Sequence, residues 1–354
     1  MPNDSASPLD DFKGALNWPN LNDWIAAQDL PGAGAVTAVQ KLRGGIQNQV
    51  FLLQRGEAQM VLRRPPVSKP GVSKTMQRET KVLHALAATG VPHPKLYASC
   101  DDPEVIGASF YLMEPLEGFA PGGALKGNYA TNPEWRRAMG EAFVQAAAAL
   151  AAIDISAAGL ADLSKPADWH ARQVSRWREQ LEGYATAMPA YNPAELPFFD
   201  EIGRWLSDNL PAGRCIGLTH GDFQFANVMF SLEAPRISGV IDWELASLGD
   251  PLLDLGWVLT SWTEPGDPEG RKPVVQPWED FLPRAELIRR YGERTGRDMA
   301  EMDWFFALAC YKLACLLEGT VAASKAGKVA ADIGAHVHNY ASWLTAKARQ
   351  IIGG

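Results

Sequence analysis

The chain has 354 residues, of which 47% are hydrophobic and 21% charged, a composition typical of a globular protein of roughly two domains. Its formal net charge of -8 disfavours binding to nucleic acid or to an anionic membrane through overall charge. Its 4 cysteines form neither a CxxC pair nor a zinc-type spacing with histidine. Since no signal peptide or long uncharged apolar stretch is visible, we expect a cytoplasmic protein without a membrane span.

The N-terminal third of the chain predicts a small β-rich lobe. Residues 1–34 are interpreted as a polar arm with a short helix, and residues 35–115 as the lobe itself. Short apolar runs broken by glycine turns are typical of β-hairpins. Ser73 and Gly90 suit the two ends of a helix. The predicted elements, in chain order, are a helix at 22–29, three strands within 35–64, a helix at 73–89, and strands at 95–100 and 110–114.

The remainder, residues 116–354, predicts a larger helical lobe with one β insert near 216–241. Apolar residues recur there at helical spacing, as expected for helices that each bury one face. Helices are predicted from about residue 135, and then at 168–184, 194–209, 251–262, 279–294, 301–324 and 329–351. The expected fold class is α+β with two lobes, a small five-stranded antiparallel lobe with one helix and a larger, mainly helical lobe.

The β insert carries the most informative residues. It reads LTHGDFQFANVMF from Leu218, followed by GVIDWELASLGDPLLDLGW from Gly239. Two short apolar runs predict a hairpin that brings Asn227 and Asp242 together at adjacent strand ends. Amide and carboxylate oxygens suit Mg²⁺, and the nearby Asp222 suits a base for a hydroxyl group. Each residue alone also fits a turn or a buried core position, but turns alone rarely produce the joint pattern.

This constellation resembles the aminoglycoside phosphotransferase and choline kinase-like family of the protein-kinase-like fold. The HGDxxxxN run at 220–227 is similar to the family's catalytic loop, and the IDWE run at 241–244 to its metal-binding segment. The runs LRRPP, YLMEPLEG and GDPLLDLGW most resemble the kinase-like domain that is fused to acyl-CoA dehydrogenases in animals. The resemblance extends over about residues 35–345.

The resemblance implies roles for the residues of the β insert. It implies that Asp222 is the catalytic base and that Asn227 and Asp242 are the Mg²⁺ ligands. It also implies that His220 tethers the catalytic loop by hydrogen bonds, and that Asp250 and Asp254 brace it. For Glu244 we weigh a role with a second Mg²⁺ or with the acceptor against simple solvent exposure.

The resemblance further implies an ATP site in the small lobe. Gly44, Gly45 and Asn48 lie in a turn similar to the family's phosphate-covering loop, although a Gly-Gly pair is also common in ordinary hairpins. The 113–116 segment resembles the hinge between the lobes, where the backbone of Glu114 and Leu116 would bind adenine. Core packing is the alternative for this segment.

The lysine that grips phosphate in the family is replaced here by Arg63, with Glu79 as its expected partner. A guanidinium can bind both phosphate and carboxylate. Arg64 should face the opposite side of the strand. The replacement departs from the family pattern and leaves a non-catalytic nucleotide-binding protein as an alternative.

A protein kinase is disfavoured because the chain reaches its next helix soon after Asp242, without room for an activation loop. The expected acceptor is therefore a small molecule. Basic residues of the helical insertions are normally solvated, but they could instead meet an anionic acceptor such as a CoA ester; they are Lys126, Arg172, Arg176 and Arg178.

The sequence thus predicts an ATP- and Mg²⁺-dependent phosphotransferase acting on a hydroxyl group, with a hydroxyacyl-CoA or related metabolite as the suggested acceptor. The alternatives are an aminoglycoside-type antibiotic kinase and a pseudokinase that binds nucleotide without turnover. A metal hydrolase is disfavoured because the histidines and extra carboxylates of two-metal sites are missing. We expect no nucleic-acid or membrane partner, and a monomer or homodimer.

Overall fold

The computed structural model describes residues 16–42, 48–66, 72–164, 167–270 and 273–353. The small lobe contains a five-stranded sheet in which the fifth strand lies between the third and the fourth, and all neighbouring strands are antiparallel. A helix follows the third strand, as predicted. The elements of this lobe are α1 (Trp18–Ala26), β1 (Val36–Lys41), β2 (Gln49–Arg55), β3 (Ala58–Arg64), α2 (Val72–Leu86), β4 (Leu96–Cys100), α3 (Pro103–Ile106) and β5 (Phe110–Met113).

The larger lobe is mainly helical, with short strand pairs between its helices. Short 3-10 turns lie at Phe225–Asn227 and Trp243–Leu245. Its elements are β6 (Gly123–Ala124), α4 (Asn128–Thr131), α5 (Pro133–Ala151), α6 (Arg172–Ala187), α7 (Phe199–Asp208), β7 (Gly217–Thr219), β8 (Val228–Phe230), β9 (Ile237–Val240), β10 (Ser247–Gly249), α8 (Leu252–Ser261), β11 (Val275–Gln276), α9 (Arg284–Thr295), α10 (Met302–Lys325) and α11 (Ala331–Ile351).

Helix α1 differs from the predicted 22–29 helix, because it begins at Trp18 and ends at Ala26. The sequence interpretation treated Pro19 as part of the arm, but proline is well tolerated in the first turn of a helix. Asn17 caps the helix, because its side chain accepts a hydrogen bond from the Asn20 amide at 3.3 Å. The apolar face of α1 packs on the small-lobe sheet.

Helix α2 begins at Val72, one residue before the predicted start at Ser73. Thr89 lies beyond the C-terminal end, where its hydroxyl donates to the Leu86 carbonyl at 2.8 Å. The small lobe also contains the single-turn helix α3, which the sequence interpretation missed. Asp102 and Pro103 form the start of α3 and Gly107 its left-handed end, a combination typical of short helices.

Helix α10 forms the centre of the larger lobe and packs against α6, α7, α8 and α11. Among the described helices it alone has the length and apolar composition of a membrane span. However, 78% of its apolar 18-residue window is buried inside the protein. Packing in the protein core therefore accounts for the apolar composition of α10, since burial of apolar side chains is the main driving force of folding.

Candidate active site

The β8–β9 hairpin brings the two predicted metal ligands to one place. Val228 pairs with Val240 in the antiparallel register. Just beyond this pair, the Ile241 amide donates to the Asn227 carbonyl at 2.9 Å. Asn227 therefore lies next to the strand end that carries Asp242, as the sequence pattern predicts.

Asp242 adopts a left-handed backbone conformation, with φ 66° and ψ 65°. This conformation costs a residue other than glycine on the order of 1–3 kcal/mol. The strain recurs at few described positions outside glycine. It turns the chain sharply at the end of β9, and leaves the Asp242 carboxylate partly exposed towards the cleft between the lobes.

Asp222 and Asn227 are joined by hydrogen bonds within the catalytic loop. The Asn227 side-chain amide donates to the Asp222 carboxylate at 2.7 Å and to its carbonyl at 2.9 Å. Gln224 donates to the other carboxylate oxygen at 2.6 Å. Burial raises the pKa of Asp222 to about 6, although Lys312, Asn227 and Gln224 act in the opposite direction. The carboxylate is thus held in a fixed orientation.

His220 links the predicted catalytic loop to the predicted metal-binding segment. Its Nε2 lies 2.9 Å from the Ile241 carbonyl, and its Nδ1 accepts a hydrogen bond from the Asp222 amide at 3.3 Å. Burial lowers the pKa of His220 to about 4, so the ring is neutral at pH 7. Its partners assign the proton to Nε2. His220 therefore positions the loop, in agreement with the expected tethering role.

Asp254 braces the same loop from below. Its carboxylate accepts from the backbone amides of His220 and Gly221 at 2.7 and 2.9 Å. Asp250 has a different role from the one expected, because it binds elsewhere. Its partners are His170, Arg297 and two backbone amides of the larger lobe.

Lys312 is a functional candidate that the sequence interpretation missed. It lies in the middle of the apolar helix α10, 6% exposed, and its ammonium donates to the Gly221 carbonyl at 2.7 Å. Burial lowers the pKa of Lys312, while the Asp254 and Asp222 charges raise it. The sequence does contain a signal for Lys312, because it is a single lysine within a long apolar run. A buried charge of this kind rarely lacks a polar partner.

Arg63 and Glu79 form the predicted pair between β3 and α2. The Arg63 Nε lies 3.0 Å from a Glu79 oxygen, and Tyr111 donates to the same oxygen at 2.8 Å. Arg63 also donates to Asp242 at 2.6 Å. Burial opposes the Arg63 cation, but the neighbouring Tyr111, Glu79 and Asp242 outweigh it and raise its pKa. Arg63 thus connects both lobes at Asp242, the predicted metal ligand.

Arg64 faces the opposite side of the sheet, as expected from strand alternation. It is buried there, donating to Gln49 at 3.0 Å and to the Ile106 carbonyl at 2.9 Å. Of the two arginines, Arg63 is therefore the one that reaches the cleft.

Glu244 lies in the cleft rather than in solvent, with a side chain 16% exposed. It accepts a hydrogen bond from Asn48 at 2.9 Å and lies 3.6 Å from the Arg63 guanidinium. Burial and then the Asp242 charge raise the pKa of Glu244. Asn48, predicted from the phosphate-covering turn, therefore contacts the larger lobe through Glu244. Gly44 and Gly45 lie outside the described residues.

The predicted hinge offers two backbone groups to a ligand. The Glu114 amide already donates to the Lys95 carbonyl at 2.9 Å. Within the part of the chain that the structure describes, the Glu114 carbonyl and the Leu116 amide have no hydrogen-bond partner. The Leu116 side chain packs closely over Gly239 of β9. A site that binds the hydrogen-bonding edge of adenine needs one acceptor and one donor, and the Glu114 carbonyl and the Leu116 amide are groups of these two kinds.

The chemistry of the site fits a hard divalent cation. Because the Asn227 side-chain nitrogen is used by Asp222, its Oδ1 is left as a ligand atom. Asp242 keeps one carboxylate oxygen beyond the one that Arg63 contacts. Two oxygen ligands from the protein, completed by waters and phosphate, are what Mg²⁺ commonly takes. The described residues contain no cluster of three or more histidine, cysteine or acidic side chains suited to a metal.

The chain has the protein-kinase-like fold. Three features define it: the five-stranded antiparallel lobe, the pairing of Glu79 on α2 with Arg63 on β3, and the 220–227 loop beside the β8–β9 hairpin. The sequence profile of the phosphotransferase enzyme family (APH) matches residues 38–305. The chain belongs to this family. Membership of this family supports the interpretation that the chain is a kinase-type enzyme.

Curated relatives are acyl-CoA dehydrogenase family members. Acyl-CoA dehydrogenase family member 11 of Rattus norvegicus is 33% identical over 310 residues, covering 82% of this chain and 38% of the relative. The probable acyl-CoA dehydrogenase IBR3 of Arabidopsis thaliana is 33% identical over 287 residues, covering 77% of this chain and 34% of the relative. The chain thus spans little more than a third of these relatives.

Solved structures share the fold. A crystal structure from Ralstonia eutropha, described as a candidate aminoglycoside phosphotransferase, has TM-score 0.77 and 28% identity, covering 95% of this chain and 99% of that one. The amicoumacin kinase hAmiN, in complex with AMP-PNP, Ca²⁺ and its antibiotic, has TM-score 0.57 and 15% identity, covering 95% of both chains. At that identity the second likeness concerns the fold.

Proposed function

We propose that this protein transfers the γ-phosphate of ATP, in a Mg²⁺-dependent reaction, to a hydroxyl group of a small molecule. The observation that carries the proposal is the hydrogen-bonded set in the cleft. Asp222 is joined to Asn227 at 2.7 Å, and Asp242 to Arg63 at 2.6 Å. Phosphoryl transfer requires mainly positioning and charge neutralisation from the protein, and this set provides groups for both.

Each residue has a role in the proposed reaction. Asp222 orients the acceptor hydroxyl and takes its proton as the oxygen attacks the γ-phosphorus and ADP leaves. Asn227 and Asp242 would hold Mg²⁺, which would neutralise charge on the phosphates. Arg63 binds a phosphate oxygen and is kept in place by Glu79. The Glu114 carbonyl and the Leu116 amide bind the adenine edge.

We further propose that the acceptor is a hydroxyacyl-CoA or a related anionic hydroxy acid. The support is the likeness to proteins whose names place them among acyl-CoA dehydrogenases. A kinase-like domain that shares a polypeptide with such an enzyme would meet CoA esters. The cationic residues Arg78, Arg176 and Lys312 line a cavity beside the catalytic loop, which suits an anion better than a polycationic antibiotic.

The experiment is a transfer assay with a panel of acceptors. Purified protein is incubated with γ-labelled ATP and Mg²⁺ against 3-hydroxyacyl-CoAs, 4-hydroxyacyl-CoAs, an aminoglycoside, choline and homoserine, with EDTA as the metal control. We expect label in a hydroxyacyl-CoA and its loss with EDTA. Label in the aminoglycoside alone would show that the acceptor is an aminoglycoside and not a hydroxyacyl-CoA.

The non-catalytic alternative is tested by a thermal titration run in parallel. Mg²⁺ and AMP-PNP should raise Tm, since a ligand that binds only the folded state stabilises it by mass action. Nucleotide binding without transfer to any acceptor in the panel would favour a pseudokinase. A chain that neither binds nor transfers would contradict the proposed function altogether.

A further inference from the structure

A small cavity lies beside the catalytic loop, at the junction of the two lobes. Its volume is about 90 Å³, and a water-sized group needs about 10–15 Å³ of such volume. We call it the basic cavity; it is lined by Arg78 of α2, Arg176 and Trp177 of α6, Thr219, Ser247 and Lys312, among others. Its size suits a compact group such as a tetrahedral oxyanion.

The lining of the basic cavity carries an excess of positive charge, although Lys312 interacts with the nearby Asp222 and Asp254 carboxylates. Three of its lining side chains are cationic, and no aspartate or glutamate lines it. Among the described residues, neither Arg78 nor Arg176 has a hydrogen bond or an ion pair to a carboxylate. By contrast, Arg178 on the same helix pairs with Asp200 at 2.7 Å. The lack of a partner is therefore a property of the cavity and not of every arginine on α6.

The surroundings of Arg176 add to this imbalance. Although the residue is exposed at the surface, partial desolvation lowers the pKa of Arg176, and the nearby Arg172 and Arg78 charges lower it further. Its guanidinium lies 5.0 Å from the centre of the Trp177 ring. Cations that repel one another across a cavity lower the affinity for protons and raise the affinity for an anion.

The cavity also has polar groups that can complete an anion site. The Thr219 hydroxyl donates to the Ser247 carbonyl at 2.9 Å and lies 3.3 Å from the Ser247 hydroxyl, so Ser247 is the hydroxyl that can donate to a ligand. Lys312 uses one of its three N–H groups on the Gly221 carbonyl at 2.7 Å. Arginine and lysine together with hydroxyl donors are the usual partners of a phosphate group.

We propose that the basic cavity binds a phosphate group, which bridges Arg78 of the small lobe and Arg176 of the larger lobe. Arg78 directly precedes Glu79, the partner of Arg63, and Lys312 contacts the residue that precedes Asp222. A group bound here would therefore link the two lobes next to both halves of the candidate active site. Its source is either a phosphate carried by the acceptor or a free phosphate that acts as an effector.

The test measures Tm in inorganic phosphate and in sodium chloride at matched ionic strength. At ten times its Kd, phosphate should raise the Tm of the wild type by about 2 °C or more. Arg176→Gln and Arg78→Gln should each abolish this rise. The control is Arg137→Gln, at an exposed arginine outside the cavity, which should keep the rise. Without phosphate, Arg176→Gln should be at least as stable as the wild type, since it relieves repulsion.

Two results would overturn the proposal. One is a wild type whose Tm phosphate does not raise; the other is a rise that both cavity variants retain, which places phosphate at another site such as the nucleotide cleft. This binding test needs no turnover, so its failure is distinct from a failure of the proposed function.

The source of the phosphate is separated by kinetics, and this arm rests on the proposed function. If the group belongs to the acceptor, inorganic phosphate competes with the acceptor, and Arg176→Gln raises the acceptor KM at least tenfold. If it is a free effector, phosphate changes kcat without competing, and Arg176→Gln removes that change.

Discussion

At the scale of single residues, Arg63 shows how a departure from the family pattern can keep the same contacts. The resemblance expects a lysine that pairs with a helix glutamate. Arg63 makes this pair with Glu79 at 3.0 Å and reaches Asp242 at 2.6 Å as well. A guanidinium has five donors in a fixed plane, so it can contact two carboxylates and still bind phosphate. The replacement is thus compatible with an active nucleotide site.

We predict that Arg63→Met lowers both stability and nucleotide affinity. The change leaves Glu79 as a buried acid without its cation, and breaking a buried pair costs about 3–5 kcal/mol. Arg63→Lys should recover part of both losses, because it restores the charge. Urea unfolding and titration with Mg²⁺·AMP-PNP measure the two effects. Arg64→Lys, on the other face of the sheet, is the control for nucleotide affinity and should bind Mg²⁺·AMP-PNP as the wild type does. Wild-type nucleotide affinity in Arg63→Met would contradict the assignment of Arg63 to the nucleotide site.

The site residues that could be predicted lie close together in the sequence, whereas those that were missed are brought to the site by tertiary packing. Asp222, Asn227 and Asp242 lie within a stretch of 21 residues; the β8–β9 hairpin brings Asn227 and Asp242 together, and Asn227 donates to Asp222. Lys312 follows Asp222 by 90 positions and meets the loop only through tertiary packing. Local spacing cannot report such a contact. Glu244 was left between two interpretations, because its neighbour Asn48 comes from the other lobe.

At the scale of elements, the strands and most helices follow from apolar periodicity, and the groups that satisfy the ends of helices do not. Helix α8 was predicted at 251–262 and is found at Leu252–Ser261. Its C-terminal end is satisfied from a distance, because the buried Lys347 of α11 donates to the Leu259 and Trp262 carbonyls, both at 3.2 Å. A cap supplied by another helix has no signature in the local sequence. Helix α1 is a different case, because its cap Asn17 and its early proline Pro19 are local, but Pro19 was assigned to the arm.

We predict that Lys347→Met destabilises the fold, and increasingly so above pH 8. The change leaves helix-end carbonyls without a donor, at about 1–3 kcal/mol for each group. Burial lowers the pKa of Lys347 to about 8, against 10.5 ordinarily. Between these pH values the unfolded chain binds more protons, so the wild type gains stability as pH rises, by about 3 kcal/mol in total.

The measurement is the free energy of unfolding of both proteins from pH 7 to 10.5. The difference between them should widen in favour of the wild type across this range. Lys328→Gln, at an exposed lysine beyond α10, is the control and should follow the wild type. A difference that stays constant with pH would mean that Lys347 titrates near its ordinary value.

At the scale of the whole molecule, the two lobes meet through apolar packing of α2 on the larger lobe and through polar contacts at the cleft. Arg63 reaches Asp242, and Asn48 reaches Glu244 at 2.9 Å. The two-lobed fold class was predicted from the change in composition after the fifth strand, and the fold confirms it. The domain boundaries at residues 34 and 115 stay a prediction. The contacts between lobes were beyond sequence reasoning, since they depend on how two folded units dock.

We predict that Glu244→Gln weakens nucleotide binding by about tenfold with little change in stability. The change removes a charged acceptor of the Asn48 hydrogen bond and one neighbour of Arg63, and a hydrogen bond to a charged group contributes about 1.5–3 kcal/mol. Isothermal titration with Mg²⁺·AMP-PNP measures the affinity. Glu233→Gln, on the exposed β8–β9 turn, should bind as the wild type does. Unchanged affinity in Glu244→Gln would show that the contact between lobes does not support the nucleotide site.

The most direct test of the central claim compares the wild type with Asp222→Asn in the transfer assay. The account predicts equal affinity for Mg²⁺·ATP in the two proteins, and γ-phosphate transfer to a hydroxyl acceptor that falls about 10²–10⁴-fold in the variant. The exposed Asp208→Asn serves as the matched control and should retain the wild-type rate. Transfer at the wild-type rate by Asp222→Asn, or no transfer by the wild type to any acceptor in the panel, would contradict the account.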